Sequence, residues 1–234
     1  MSKMPPDWNI TYGRLTFKLR PMGFKHTGLF PEQAVNWDWF SEILRRVQKE
    51  RPSYQPKVLN LFAYTGGATA AAAAAGAAVC HVDASKGMVN AAKENLRLSG
   101  LGDAPVRYIV DDCRKFVERE IRRGNRYDGV IMDPPSYGRG PGGEVWKLEE
   151  CAYDLIALVV RLLSDNPLFF LINSYTTGLS PASMGYMMMS LMPRHIADRG
   201  TLTTGELGIP VKQSGFFLPA GASARWEAGK GESL

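Results

Sequence analysis

Three acids stand where predicted strands run out. Asp83 closes VCHVD, Asp112 follows VRYIV, and Asp133 closes YDGVIM, while Gly66 and Gly67 sit between a predicted strand and helix in NLFAYTGGAT. The carboxyl ends of parallel strands share one crevice, where open α/β sheets take their ligands. An acid at the second strand suits the hydroxyls of a ribose. A glycine turn ahead of a helix lets backbone approach a ligand at an end that favours negative charge. The turn reads Tyr64-Thr65-Gly66-Gly67 and not GxGxxG, so it serves a nucleoside better than a dinucleotide with its pyrophosphate. Each residue also has a plain use: the glycines in a tight turn, and Asp83 and Asp112 as helix N-caps worth about 0.5–2 kcal/mol. The joint placement of the acids favours a ligand. Asp133 opens DPPSYGRGPGGEVWK, a stretch that suits neither helix nor central strand. Consecutive Pro134 and Pro135 free backbone carbonyls that, with the Asp133 carboxylate, accept hydrogen bonds from an amino group. Tyr137 offers either a stacking face, typically worth about 1–3 kcal/mol per base, or a cover for the sheet edge.

The elements that position these residues alternate. KVLNLF, VCHVD, VRYIVDD, YDGVIMD and PLFFLINS read as strands. GGATAAAAAAGAA, SKGMVNAAKENLRLSG, CRKFVEREIRRG and LEECAYDLIALVVRLLS read as the helices between and after them. That order predicts a parallel sheet covered on both faces. A Met-rich helix near residues 183–192 follows, and TLTTGELG and SGFFLPAG predict a terminal hairpin of two strands joined by a long loop. Upstream, ITYGRLTFKLR alternates like one edge strand and PEQAVNWDWFSEILRRVQKE begins a helix at Pro31. Residues 1–54 are expected to form this edge strand and lid helix of the same domain, with the catalytic part at 55–234. The 234 residues carry 45% hydrophobic and 22% charged side chains, enough for one globular domain with a core. The net charge of +5 favours a polyanionic partner without requiring one. Cys80, Cys113 and Cys151 are scattered, with no metal-ligand spacing and no disulfide framework. The opening MSKMPPDWN has no apolar core and no stretch reaches membrane length, so a cytoplasmic setting is expected.

LNLFAYTGGAT, HVDAS, VDDCRKF and MDPPSYGRGPGGEVWK resemble, in order and spacing, the motifs of class I S-adenosylmethionine-dependent methyltransferases over roughly residues 24–226. With HTGLFPEQ upstream and SGFFLPAGASARW at the close, the chain most resembles the 23S ribosomal RNA methyltransferases of the cytosine-C5 and guanine-N7 group. The resemblance implies a Rossmann-like, mostly parallel seven-stranded sheet with an antiparallel C-terminal strand and helices on both faces. It also implies S-adenosyl-L-methionine as cofactor and RNA as partner. Phe62, Tyr64, Thr65, Gly66 and Gly67 would wrap the methionine part, and Asp83 with Ala84 and Ser85 would hold the ribose. Asp112 and Cys113 would face the adenine, while Phe30, Glu32 and Gln33 would cover the cofactor as a lid. Asp133, Pro134, Pro135 and Tyr137 would form the methyl-transfer edge, where a sulfonium methyl needs chiefly an aligned nucleophile and exclusion of water.

Two departures shape the expectation. Related C5 enzymes carry a cysteine just after strand five, because cytosine C5 becomes nucleophilic only once a thiolate has added to C6. Here Ile172-Asn173-Ser174 stands in that place, which favours transfer to a nitrogen. Many relatives also carry an additional N-terminal RNA-binding domain, which is not expected here, so RNA contact is expected from the catalytic domain. The basic run Arg114, Lys115, Arg119, Arg122, Arg123 and Arg126 is one candidate, and Arg45, Arg46, Lys49 and Arg51 are another. A solvated helix face is the more common explanation of such runs. His26 has no evident acid/base partner. Methylation of a small molecule and a non-catalytic cofactor-binding module remain alternatives.

Overall fold

A computed structural model describes residues 5–22, 26–139 and 145–229. The strands are β1 (Trp8–Tyr12), β2 (Leu15–Leu19), β3 (Lys57–Leu61), β4 (Ala78–Asp83), β5 (Val106–Val110), β6 (Gly129–Met132), β7 (Tyr137–Arg139), β8 (Val145–Lys147), β9 (Phe169–Ser174), β10 (Gly200–Pro210) and β11 (Phe217–Ala228). The helices are α1 (Ala34–Glu50), α2 (Gly67–Ala74), α3 (Lys86–Leu98), α4 (Cys113–Arg122), α5 (Leu148–Val159), α6 (Pro181–Leu191) and α7 (Arg194–Ala197).

Seven strands form one sheet in the order β10-β11-β9-β6-β3-β4-β5. The β9-β6-β3-β4-β5 pairings are parallel, and β11 runs antiparallel to both β9 and β10. The expected seven-stranded sheet with its antiparallel C-terminal strand is therefore present. Strands buried on both faces alternate between two cores. Leu59, Leu61, Phe170 and Ile172 join the α4–α5–α6 side, whereas Val58, Phe169 and Leu171 join the α1–α2 side. On the α1–α2 side Phe40 stacks on Phe169 with ring centroids 5.8 Å apart. Four of the six alanines of α2 are buried there, and their small size allows close helix-on-sheet approach.

Three local expectations change. ITYGRLTFKLR is not one edge strand: β1 and β2 form a separate antiparallel hairpin turned at Gly13, whose φ is +55°. That hairpin docks on α3, where Thr16 N–H donates to Ser99 Oγ at 2.9 Å and Lys18 N–H to Asn95 Oδ1 at 2.9 Å. The terminal hairpin has longer strands than expected, with residues 211–216 connecting them. The glycine loop at residues 138–143 begins as strand β7, paired with β8, and residues 140–144 lie outside the described residues. Among the described residues no helix is long and apolar enough to cross a membrane.

Candidate functional site

The turn from β3 to α2 is strained. Phe62 and Tyr64 have φ of +55° and +49°, conformations that side-chain-bearing residues rarely adopt and that neighbouring contacts must enforce. Phe62 N–H donates to Cys113 Sγ at 3.3 Å, Ala63 N–H to the Val82 carbonyl at 3.0 Å, and Tyr64 N–H to Asp83 Oδ2 at 2.8 Å. Thr65 Oγ1 donates to the Gly28 carbonyl at 2.6 Å, and Asn95 Nδ2 donates to the Thr65 carbonyl at 2.9 Å. The glycines have packing reasons of their own. A Cβ on Gly66, where φ is +82°, would lie 2.8 Å from Ala92 Cβ, and one on Gly67 would lie 2.6 Å from the Trp37 ring. Gly66 thus lets α3 close on the turn, and Gly67 does the same for α1.

The acids divide their work. Asp83 accepts from Tyr64 N–H on one oxygen and from Ser85 N–H, 2.8 Å, on the other. Burial nevertheless raises its pKa, ahead of the lowering by those two bonds. Ser85, next to exposed Ala84, caps α3 by accepting from Met88 N–H at 3.4 Å. Asp112 caps α4, its Oδ1 accepting from Lys115 N–H at 2.9 Å, so its structural role is realised at an exposed position. Cys113 is buried behind it, and burial pushes its thiol up.

Asp133 faces a small cavity of about 50 Å³ lined by Phe30, Gln33, Phe62, Tyr64, Asn173 and others. Its Oδ1 is buried with no hydrogen-bond partner among the described residues, as is the Tyr64 hydroxyl. Such orphans are rare in native proteins and call for an explanation, a ligand among them. Burial, with Glu32 adding to it, pushes the Asp133 carboxyl up to about 7. Phe30 lies over this edge, its ring 5.6 Å from Tyr64 and 5.7 Å from Tyr175. His26 packs edge-on to Phe30 at 5.5 Å, in keeping with a structural part for it. Glu32 and Gln33 are buried in the 3₁₀ turn Pro31–Gln33.

Asn36, Tyr175 and Arg225 were not singled out by sequence. Gln33 Nε2 donates to Tyr175 Oη at 2.8 Å, and Gln33 Oε1 accepts from Asn36 Nδ2 at 2.8 Å and from Asn173 Nδ2 at 3.0 Å. Asn36 Oδ1 accepts from Arg225 Nε at 2.7 Å. This buried network fixes the lid turn against β9 and β11. Burial and the nearby Asp133 charge both push the Tyr175 hydroxyl up. Past Asp133, Pro134 is buried and Pro135 exposed. The Pro135 carbonyl already accepts from Trp146 Nε1 at 2.7 Å, so the expectation of free proline carbonyls is reduced on this side. The Trp146 ring sits 5.9 Å from that of Phe62 and ties β8 to the strained turn. Tyr137 is 53% exposed at the start of β7.

The residues present fit the expected cofactor. A carboxylate has about four acceptor positions, and Asp83 uses two on backbone N–H groups, leaving capacity for a ribose diol. The orphaned Asp133 Oδ1 and Tyr64 Oη point to a polar or cationic ligand at the adjoining cavity.

Comparison with known proteins gives the same reading. A solved S-adenosylmethionine-dependent methyltransferase from Agrobacterium tumefaciens is 38% identical, with a TM-score of 0.85 over 97% of this chain and 72% of that one. The structure of SMU.776 complexed with S-adenosylhomocysteine, 20% identical at TM-score 0.74, covers 97% of this chain and 57% of its own and shows the same fold. Among curated proteins, ribosomal RNA large subunit methyltransferase K/L of Shewanella frigidimarina is 32% identical over 152 residues, 64% of this chain and 20% of that protein. The protein of the same name from Magnetococcus marinus is 32% identical over 163 residues, 68% of this chain and 21% of that protein. The chain spans about a fifth of the length of these curated relatives. A family model described as S-adenosylmethionine-dependent methyltransferase matches residues 3–157, and the chain belongs to that family, with S-adenosylmethionine as its cofactor.

Proposed function

We propose that this methyltransferase acts on a base of RNA, within ribosomal RNA in the cytoplasm, and delivers the methyl group to a nitrogen. The observation that carries the reading is the buried, unpartnered Asp133 Oδ1, four residues ahead of exposed Tyr137 in the chain. The names of the curated relatives and the net charge of +5 support RNA as the acceptor.

The bound cofactor supplies a methyl group already activated by its sulfonium. Phe62, Tyr64, Thr65, Gly66 and Gly67 hold its methionine part, Asp83, Ala84 and Ser85 the ribose, and Asp112 and Cys113 the adenine. Phe30, Glu32 and Gln33 exclude water from above, with residues 1–54 acting as brace and lid to the catalytic part at 55–234. Asp133, with Pro134 and Pro135 fixing its backbone, accepts a hydrogen bond from an amino group of the base and so turns that edge toward the transfer point. Tyr137 stacks on the base.

Transfer to C5 of a pyrimidine is disfavoured because no cysteine stands at or just after the end of β9. Asn173 and Ser174 occupy the strand end and are buried in hydrogen bonds. Burial pushes the Cys80 thiol up to about 11, and the Cys113 sulfur is engaged by Phe62 N–H. Mass spectrometry of nucleosides from ribosomal RNA of a strain lacking the gene tests the proposal. Loss of one N-methylated nucleoside is expected. An unchanged modification profile would move the substrate away from ribosomal RNA, and loss of 5-methylcytidine would refute the nitrogen assignment.

A further inference from the structure

Of the two basic runs that the sequence offered for RNA contact, the far halves lead away from the site, and the near part of the α4 run, at the site's own edge, is engaged by acids. α1 starts beside Gln33 and runs back toward the amino edge of the sheet, where Arg46 pairs with Glu227, the residue opposite the first residue of β9, at 3.0 Å. α4 runs the same way. Arg123 pairs with Glu120 at 3.0 Å, and Glu120 also pairs with Arg107 near the start of β5. Arg119 is bound to Asp111, and Arg114 to Glu118 at 3.4 Å.

Another feature rises from the correct edge. Ala222 of β11 pairs with Ser174, the last residue of β9, so residues 207–221 project past the end of β9. At about 3.3 Å per residue the tip stands roughly 15 Å beyond that strand end. It carries Phe216, Phe217 and Leu218 at 75%, 68% and 58% exposure, an unusual concentration of apolar surface for a loop. Its shape is fixed: Val211 N–H donates to the Phe216 carbonyl at 2.8 Å, Gly215 N–H to the Val211 carbonyl at 2.9 Å, and Gly215 takes φ of +71°. Between Glu206 and Glu227 the chain has two charges, Lys212 and Arg225, both basic. The root of the hairpin meets the lid network beside the Asp133 cavity, since a Cβ on Gly221 would lie 2.9 Å from the ring of Tyr175, whose hydroxyl accepts from Gln33. The β7–β8 hairpin, whose Trp146 packs on Phe62 at that cavity, carries exposed Tyr137.

We propose that the tip of the β10–β11 hairpin is a stacking platform for single-stranded RNA next to the target base, with Phe216 and Phe217 holding unpaired bases and Lys212 a phosphate. The proposal rests on the reading of the substrate as RNA and names where the catalytic domain grips it. Consecutive exposed aromatics with a cation and no acid are the chemistry of sequence-tolerant stacking on a nucleic-acid backbone. The fixed tip lowers the ordering cost of binding.

Fluorescence anisotropy with a labelled single-stranded RNA oligonucleotide, and with its duplex form, tests this on the full chain. Phe216→Ala with Phe217→Ala is expected to weaken single-strand binding about tenfold or more, with calorimetric affinity for S-adenosylhomocysteine unchanged. Phe216→Trp with Phe217→Trp is expected to retain binding, and Lys212→Gln to weaken it and flatten its salt dependence. Wild-type affinity should be lower for the duplex, and less sensitive to the alanine pair. If the wild type binds RNA and the alanine pair binds it within about twofold, the platform is wrong while the RNA reading stands. If the wild type binds no RNA, both fall. If the alanine pair leaves RNA binding intact but abolishes self-association or binding to anionic vesicles, the tip serves that partner instead.

Discussion

At the scale of single residues the account turns on Asp133. Its carboxyl titrates near 3.8 when unperturbed and is pushed up to about 7 in the folded protein. Between those values the unfolded chain holds the carboxylate ionised while the folded chain keeps it protonated. The stability that Asp133 contributes is therefore complete below about 4, declines as pH rises, and is gone above about 7. Holding it ionised above that pH costs on the order of 4 kcal/mol for a shift of this size, part of which a buried amide would not recover, so Asp133→Asn should raise Tm at pH 8 by about 5 °C. Scanning calorimetry should show no such gain at pH 4. The same substitution should slow transfer by about 10–100-fold, the worth of a hydrogen bond to a charged group. Wild-type activity should fall as pH drops through about 7, because only the anion accepts from an amino group without competing for its own proton. The acids were legible in sequence because each ends an apolar strand. Asn36, Trp146 and Tyr175 were not, since each reads as ordinary helix, loop or strand-end composition until β9, β8 and the lid turn are brought together.

At the scale of elements the strained turn between β3 and α2 matters most, because it presents Phe62 and Tyr64 to the cavity. Gly66→Ala should destabilise the protein by about 2–3 kcal/mol, combining a left-handed φ with a 2.8 Å contact to Ala92. Chemical denaturation should report it as a lower midpoint with an unchanged slope. The alternation of strands and helices made the parallel sheet legible, as each period is long and bounded by turn residues. Hairpins were harder. Gly13-Arg14 interrupts the β1–β2 alternation without any cluster of turn residues, and the short β7 and β8 strands are hidden among prolines and glycines. The β10–β11 strands run through glycines and prolines that read as loop, so their length became visible only through register.

For the whole molecule, the sheet order sets which charges face a substrate. The sequence could count basic residues but could not say which edge each helix end reaches. Arg45 and Lys49 lie on the half of α1 leading to the edge opposite the site, so Arg45→Gln with Lys49→Gln should change RNA affinity by less than about threefold. Anisotropy titrations at two salt concentrations check this, and a larger loss would place the RNA across both edges. The measurement that tests the central claim most directly is transfer of a labelled methyl group from S-adenosylmethionine to ribosomal RNA, with the product nucleoside identified. The account predicts an N-methylated nucleoside whose formation Asp133→Ala reduces at least tenfold while S-adenosylhomocysteine still binds. A C5-methylated product, or full activity in Asp133→Ala, would contradict it.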